Sequence, residues 1–238
     1  MSDYNAIYSN WQANPEAFWA DAAQAIDWID APKTVLDSTN APLTTWFPDG
    51  VCNTCYNAVD RHVEAGRGAQ TAIIHDSPVT NSKTEISYDA LLDRVSRVAG
   101  ALASRGVGKG DRVIIYMPMV PDALIAMLAC ARIGAIHSVV FGGFAAHELA
   151  VRIDDAAPKA IIAASCGIEG KKVIAYKPLL DGAIERADHK PDFTLILQRP
   201  QAIADLVSGY DFDWAVEESA ATPVGCTPVA GSDPLYIL

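Results

Sequence analysis

The stretch from Arg112 to Phe144, RVIIYMPMVPDALIAMLACARIGAIHSVVFGGF, constrains the fold of this chain more than any other. A branched apolar run, Val113 to Tyr116, is closed by Pro118 and Pro121. A helical pattern of Ala, Leu, Ile and Met continues to Ile133 and stops at Gly134. A second apolar run, His137 to Phe141, ends in Gly142-Gly143. Strand, helix, strand is the pattern of a βαβ unit, and strands apolar on both faces belong in a covered parallel sheet. Ligands of open parallel sheets gather beyond the carboxyl ends of the strands, which is where Gly142 and Gly143 fall.

The pattern repeats downstream. Ala145 to Asp154 reads as a helix, Lys159 to Ala164 as a buried strand, SCGIEGKK as a loop, Pro178 to Ala187 as a helix and Phe193 to Leu197 as a strand. Short helices are expected within 201–219, then a Pro- and Gly-rich linker and a last apolar run, Leu235 to Leu238, read as the first half of a buried strand. Upstream, Tyr88 to Arg105 carries Leu91, Leu92, Val95, Val98 and Leu102 at helical spacing, preceded by two short strands, Thr71 to His75 and Thr84 to Ser87. The predicted class is α/β, a parallel β-sheet with helices on both faces and right-handed crossovers, preceded by a helical and extended N-terminal arm. In that arm Pro15 to Ile29 reads as a helix begun by Asn14 and Pro15, and Trp46 and Phe47 read as anchors that lay the arm over the body.

Half of the 238 residues are hydrophobic and a fifth are charged, which suits a folded core. A net charge of -11 opposes binding to nucleic acid or an anionic membrane, though a small phosphorylated ligand needs only a local cationic patch. The N-terminus has neither the basic nor the apolar region of a signal peptide, and no apolar run reaches the roughly 20 residues of a membrane helix. Five cysteines do not form a disulfide framework, so a cytoplasmic protein is expected.

Few residues carry a chemical signature of their own. Cys52 and Cys55 form a CxxC beside a helix expected over Asn53 to Glu64. A redox pair of the thioredoxin kind should follow a strand, whereas GAQTAIIH comes after it. Zinc would need a second pair, whereas Cys130, Cys166 and Cys226 stand alone in the sequence, so the CxxC reads as structural. The glycines of GVGKGD leave a helix and open a strand, opposite to a dinucleotide fingerprint, and read as a C-cap and turn. GxxxxGK[ST], GxSxG and HExxH do not occur, and the five histidines lack ligand spacing, so no catalytic or metal-binding set is assigned. Two candidates remain. Gly142-Gly143 either let the backbone approach a flat ring or phosphate, beside the amides of the next helix, or serve only a tight turn. The segment Gly167 to Lys172 puts Lys171 and Lys172 after the next strand, as an anion site or as solvated charge. Both should lie on one rim of the sheet.

FWADAAQAIDWID, CNTCYNAVDRHV, the opening stretch and SCGIEGKKVIAYKPLLDGAI together resemble the N-terminal part of short-chain acyl-CoA synthetases, the acetyl- and propionyl-CoA synthetases of the adenylate-forming superfamily. GIE and AYKPLLD are closer to the propionate branch. The resemblance covers the chain from about Tyr4 to Leu238 and implies an acetyl-CoA-synthetase-type N-terminal arm over 1–58, then the first part of an AMP-binding domain over 59–238. In that family DPLYIL runs into a phosphate loop. The chain is therefore expected to stop before the ATP loop and the adenylation lysine, and to be inactive alone.

The implied reaction uses a short-chain carboxylate, ATP with Mg²⁺, and CoA: an acyl-adenylate and pyrophosphate form first, and the CoA thiol then displaces AMP. The implied partners are these small molecules and the C-terminal part of the same enzyme. The resemblance assigns one wall of the CoA nucleotide site. Phe141, Gly142 and Gly143 match the segment against which adenine packs. Lys172 matches a basic residue that meets the 3′-phosphate, and Ile174 a residue lining the adenine pocket. Glu169, Gly170 and Lys171 complete the implied CoA-binding segment; Glu169 departs from a basic residue of the acetate enzymes, with Lys171 beside it in compensation. A free-standing CoA- or nucleotide-binding module without catalysis is the alternative expectation.

Overall fold

Six strands run parallel in one sheet of the computed structural model, which describes residues 3–238. They are β1 (Arg112–Met117), β2 (Ile136–Phe141), β3 (Ala160–Ala164), β4 (Phe193–Leu197), β5 (Asp211–Asp213) and β6 (Tyr236–Ile237), ordered β5-β4-β3-β1-β2-β6. From β1 the chain moves to one side to make β2, then recrosses β1 to make β3. That reversal is a topological switch point, where a crevice opens beyond the carboxyl ends of the strands.

Burial explains why the middle strands read as unbroken apolar runs. Val113 through Met117 in β1 and all of β3 are buried. Each fully buried aliphatic side chain contributes about 1.5–3 kcal/mol relative to exposure. Helices α1 (Tyr88–Ser104), α2 (Pro121–Arg132) and α5 (Trp214–Ala220) pack in one layer, and α3 (Ala146–Ala156) with α4 (Lys177–Arg186) in the other. Right-handed crossovers in opposite directions require this division.

The helix ends follow local chemistry. Ser87 caps α1 by accepting the Ala90 amide at 3.2 Å, while Leu91, Val95, Val98 and Leu102 bury its inner face. Gly106, at φ +85°, takes the chain out of that helix, as the C-cap reading requires. Pro121 opens α2 from its first turn, where no amide donor is needed. Asp213 caps α5 by accepting the Val216 amide at 3.1 Å.

The structure departs from the sequence reading at several places. SCGIEGKK is not a loop but most of an antiparallel hairpin, Cys166–Glu169 paired with Lys172–Ala175, turning at Gly170 with φ +59°. Within 201–219 the regular structure is β5 and α5, and residues 201–208 form no helix. The final strand is an edge strand rather than a buried one, with Tyr236 exposed and ring-stacked on His137 at 5.8 Å.

The described residues form two compact units, 3–53 with 228–233, and 54–227 with 234–238. The first unit contains an additional helix, Tyr4–Ala13, capped by Asp3. Pro15–Ala22 follows, shorter than the expected Pro15 to Ile29, because the chain tightens into a 3₁₀ turn at Ala23–Ala25 and leaves helical angles at Ile26. The aromatic side chains expected to anchor the arm meet rings of their own unit: Trp46 lies 6.0 Å from Trp19, and Phe47 lies 5.8 Å from Trp28.

Candidate functional site

A cavity of about 290 Å³ opens at the carboxyl rim of the sheet. Its floor comes from the ends of β1 and β2, through Met117, Pro118, Phe141 and Gly142. One wall is the hairpin after β3 with Tyr176, a second is the hairpin Thr71–Ser77/Ser82–Ser87 through His75 and Thr80, and Arg199 after β4 closes the rim. The lining is mostly apolar with a few polar groups, the usual character of a small-molecule site.

The segment after β2 is held from beneath by a phenol. Tyr116, fully buried on β1, donates its hydroxyl to the Phe144 carbonyl at 2.9 Å and accepts the Gly143 amide at 3.3 Å. Burial pushes this phenol up to about 12, against the opposing Gly143 hydrogen bond, so it remains a donor through the physiological range. Tyr176 packs on Tyr116 with ring centroids 5.0 Å apart.

These two rings give the glycines a structural reason. A Cβ on Gly142 would sit 2.7 Å from the Tyr176 ring and 2.8 Å from the Met117 carbonyl oxygen. Gly143 lies at φ +101°, and a Cβ there would meet Glu169 Oε1 at 2.9 Å. The tight-turn requirement is therefore met by the protein's own packing, and it leaves Phe141 standing at the rim with 67% of its surface exposed.

The structure brings Phe141, Gly142, Gly143 and Glu169 together. The other four candidates sit elsewhere on the hairpin. Gly170 and Lys171 form its exposed turn, Lys172 is exposed opposite Glu169, and half-buried Ile174 is opposite Gly167 and packs on the core. None of those four lines the cavity.

Sequence reasoning missed Tyr116, Tyr176 and Arg199. In the sequence Tyr116 reads only as the end of an apolar run; its hydroxyl is the available signal, since a buried phenol needs a partner. Arg199 is the cation on the cavity wall; its guanidinium donates to the Cys166 carbonyl at 2.9 Å and its amide to Ser165 Oγ at 2.8 Å.

The CxxC separates at the unit boundary. Cys52 ends a two-residue strand, Val51–Cys52, whereas Cys55 lies in the helical segment that follows. Cys226 does not stand alone, because it is folded against Cys55 and Asp60.

Residues 60–238 match the model of the AMP-binding enzyme family, and residues 4–58 match that of the acetyl-coenzyme A synthetase N-terminus. An uncharacterized protein of Pseudomonas aeruginosa is 57% identical over 95% of the chain and 36% of its own length. The mitochondrial acyl-CoA synthetase short-chain family member 3 of Bos taurus is 49% identical over 99% of the chain and 34% of its own length. The propionate–CoA ligase of Escherichia coli is 47% identical over 89% of the chain and 34% of its own length. The chain thus spans about a third of the length of these relatives. An acetoacetyl-CoA synthetase from Streptomyces lividans superposes with a TM-score of 0.88 over all of this chain and 36% of its own, at 20% identity, which bears on the fold alone. The chain belongs to the AMP-binding enzyme family, and the match to an acetyl-coenzyme A synthetase N-terminus lies directly ahead of that domain.

Proposed function

We propose that this chain is the N-terminal portion of an AMP-forming short-chain acyl-CoA synthetase, with propionate favoured over acetate, and that it supplies one wall of the CoA nucleotide site. The whole enzyme would activate the carboxylate with ATP and pass the acyl group from the adenylate to the CoA thiol. The observation that carries the reading is the exposed Phe141 ring at the end of β2, on the rim of a cavity floored by Gly142. Such a ring offers a stacking face for adenine, while Arg199 and the exposed pair Lys171-Lys172 supply positive charge near the same hairpin. Glu169 stands on the cavity wall and opposes a phosphate there, so the reading directs the phosphate toward the lysines.

ATP and Mg²⁺ belong, in this reading, to residues outside this chain. Among the described residues the one metal-ligand grouping is Cys55, Asp60 and Cys226. Its thiols are too soft for Mg²⁺, and no step is assigned to the ion here. The domain boundary is placed at 58, near the junction of the two family matches. A cytoplasmic location is proposed on the five unpaired cysteines, together with the lack of any described helix long and apolar enough to cross a membrane.

Two measurements test this. The purified chain should release no pyrophosphate from ATP and propionate above background; sustained release would sink the assignment of adenylation to other residues. Equilibrium dialysis should show CoA bound, and Phe141→Ala should weaken it by roughly tenfold, since a base on an aromatic ring contributes about 1–3 kcal/mol. Undiminished binding by the variant would remove the wall from Phe141. CoA binding by a full-length protein without acyl-CoA synthesis would favour a binding module instead.

A further inference from the structure

Away from the rim, two thiols and a carboxylate are folded together with an arginine. Cys55 Sγ, Cys226 Sγ and an Asp60 oxygen lie within 4.8 Å of one another, and neither cysteine is in a disulfide. Arg132 spans Asp60 with two hydrogen bonds, 2.8 and 3.0 Å, and also donates to Cys55 Sγ at 3.6 Å. The Cys226 thiol is 3.8 Å from Asp60 Oδ2. Cys55 is fully buried, whereas Cys226 is half-buried on the segment that leads to β6.

Three ligand-type residues suggest a soft cation, but the arginine argues otherwise. Both Asp60 oxygens already accept from Arg132, and a guanidinium 3.6 Å from a sulfur would stand beside the metal. The same arrangement suits a thiolate. The Cys226 hydrogen bond holds the Cys55 thiol below its ordinary value, with burial opposing and the Arg132 charge assisting. Cys226 moves the other way, raised by its hydrogen bond to Cys55 and by burial, so it keeps its proton; burial alone raises Cys52 and pushes Cys130 up to about 12.

We propose that Cys55 and Cys226 are a redox modification site that closes to a disulfide in the presence of a peroxide. Peroxide enters past the half-buried Cys226; the Cys55 thiolate forms an S–O bond as the O–O bond breaks, and the departing hydroxide takes the Cys226 thiol proton and leaves as water. The Cys226 thiolate so formed then attacks the Cys55 sulfur; the S–S bond forms, the S–O bond breaks, and hydroxide leaves to be protonated as the second water. Two thiols and one peroxide become one disulfide and two waters, the sulfurs losing the electron pair that the peroxide oxygens gain. Neither the fold class nor the CoA reading predicts this pair, because 55 and 226 are far apart in the chain and are brought together beside Asp60 on the helical segment and Arg132 at the end of α2.

The purified 238-residue chain is treated with hydrogen peroxide, alkylated and mapped by mass spectrometry. The expected result is a peptide joining Cys55 to Cys226, two of the five thiols lost, and both recovered with dithiothreitol. Cys226→Ser should yield no linked peptide; the wild-type map stands without that variant, and circular dichroism checks that the variant folds. Retention of all five thiols would overturn the proposal. So would a Cys52–Cys55 link, or stoichiometric Zn²⁺ binding that protects the pair and is lost in Cys226→Ser.

Discussion

Tyr116 does two things that conflict in a simple apolar pattern. Its ring fills the core of the sheet, while its hydroxyl holds the turn after β2 through Gly143 and Phe144. Removing the hydroxyl in Tyr116→Phe leaves those two backbone groups short of a partner and should cost about 1–3 kcal/mol of unfolding free energy, read by urea denaturation. It should also weaken CoA binding, because the ring of Phe141 is positioned by the same turn. Gly142→Ala forces a methyl into the Tyr176 ring and the Met117 carbonyl and should destabilise by about 1–3 kcal/mol in the same assay. An unchanged midpoint in either variant would show that the turn is not held this way. At this scale legibility was partial. The glycine pair is visible in the sequence as punctuation, but which function it serves depends on Tyr176, 34 residues onward by numbering. The lysines were visible as charge, yet whether they face the cavity depends on the strand register of a hairpin.

Among elements, α4, β4 and β5 meet around a buried ion pair. Lys177 Nζ lies 2.9 Å from Asp211 Oδ2, with side-chain exposures of 7% and 0%, and Thr194 Oγ1 donates to Asp211 Oδ1 at 2.6 Å. Burial opposes the Lys177 charge, but hydrogen bonds to Asp181 and Asp211 outweigh it and raise its pKa above the ordinary 10.5. A group with a raised folded value contributes fully below its unfolded value and loses that contribution as pH rises through the folded one. Stability should therefore fall above about pH 10.5 by a component absent from Lys177→Met, measured by denaturation at increasing pH. Asp211→Ala leaves the buried lysine only the exposed Asp181 as a partner and should cost about 1–3 kcal/mol at neutral pH. Helices and strands with strong periodicity, such as α1 and β1, were legible because burial on one or both faces writes a period into the residues. The hairpin Cys166–Ala175 was not, because glycines and adjacent lysines mask a strand whose pairing partner is only a turn away. β5 was hidden for a related reason: Asp211, Phe212 and Asp213 read as polar, although Asp211 is buried against Lys177 and Thr194.

For the whole molecule, the order β5-β4-β3-β1-β2-β6 puts the switch point, the cavity and the Phe141 turn at the same end of the sheet. That coincidence follows from connectivity and was foreseeable once the opening stretch was read as strand, helix, strand. The pairing of Cys55 with Cys226 was not foreseeable, since it is made by tertiary folding between residues far apart in the chain.

The claim that the rim after β2 receives the nucleotide end of CoA is tested most directly by titrating ¹⁵N-labelled chain with 3′-phosphoadenosine 5′-diphosphate, which carries that end without the thiol arm. The amides of Gly142, Gly143 and Phe144 should shift in proportion to occupancy, with those of Lys171 and Lys172 following. Shifts gathered elsewhere, or none at millimolar ligand, would contradict the assignment.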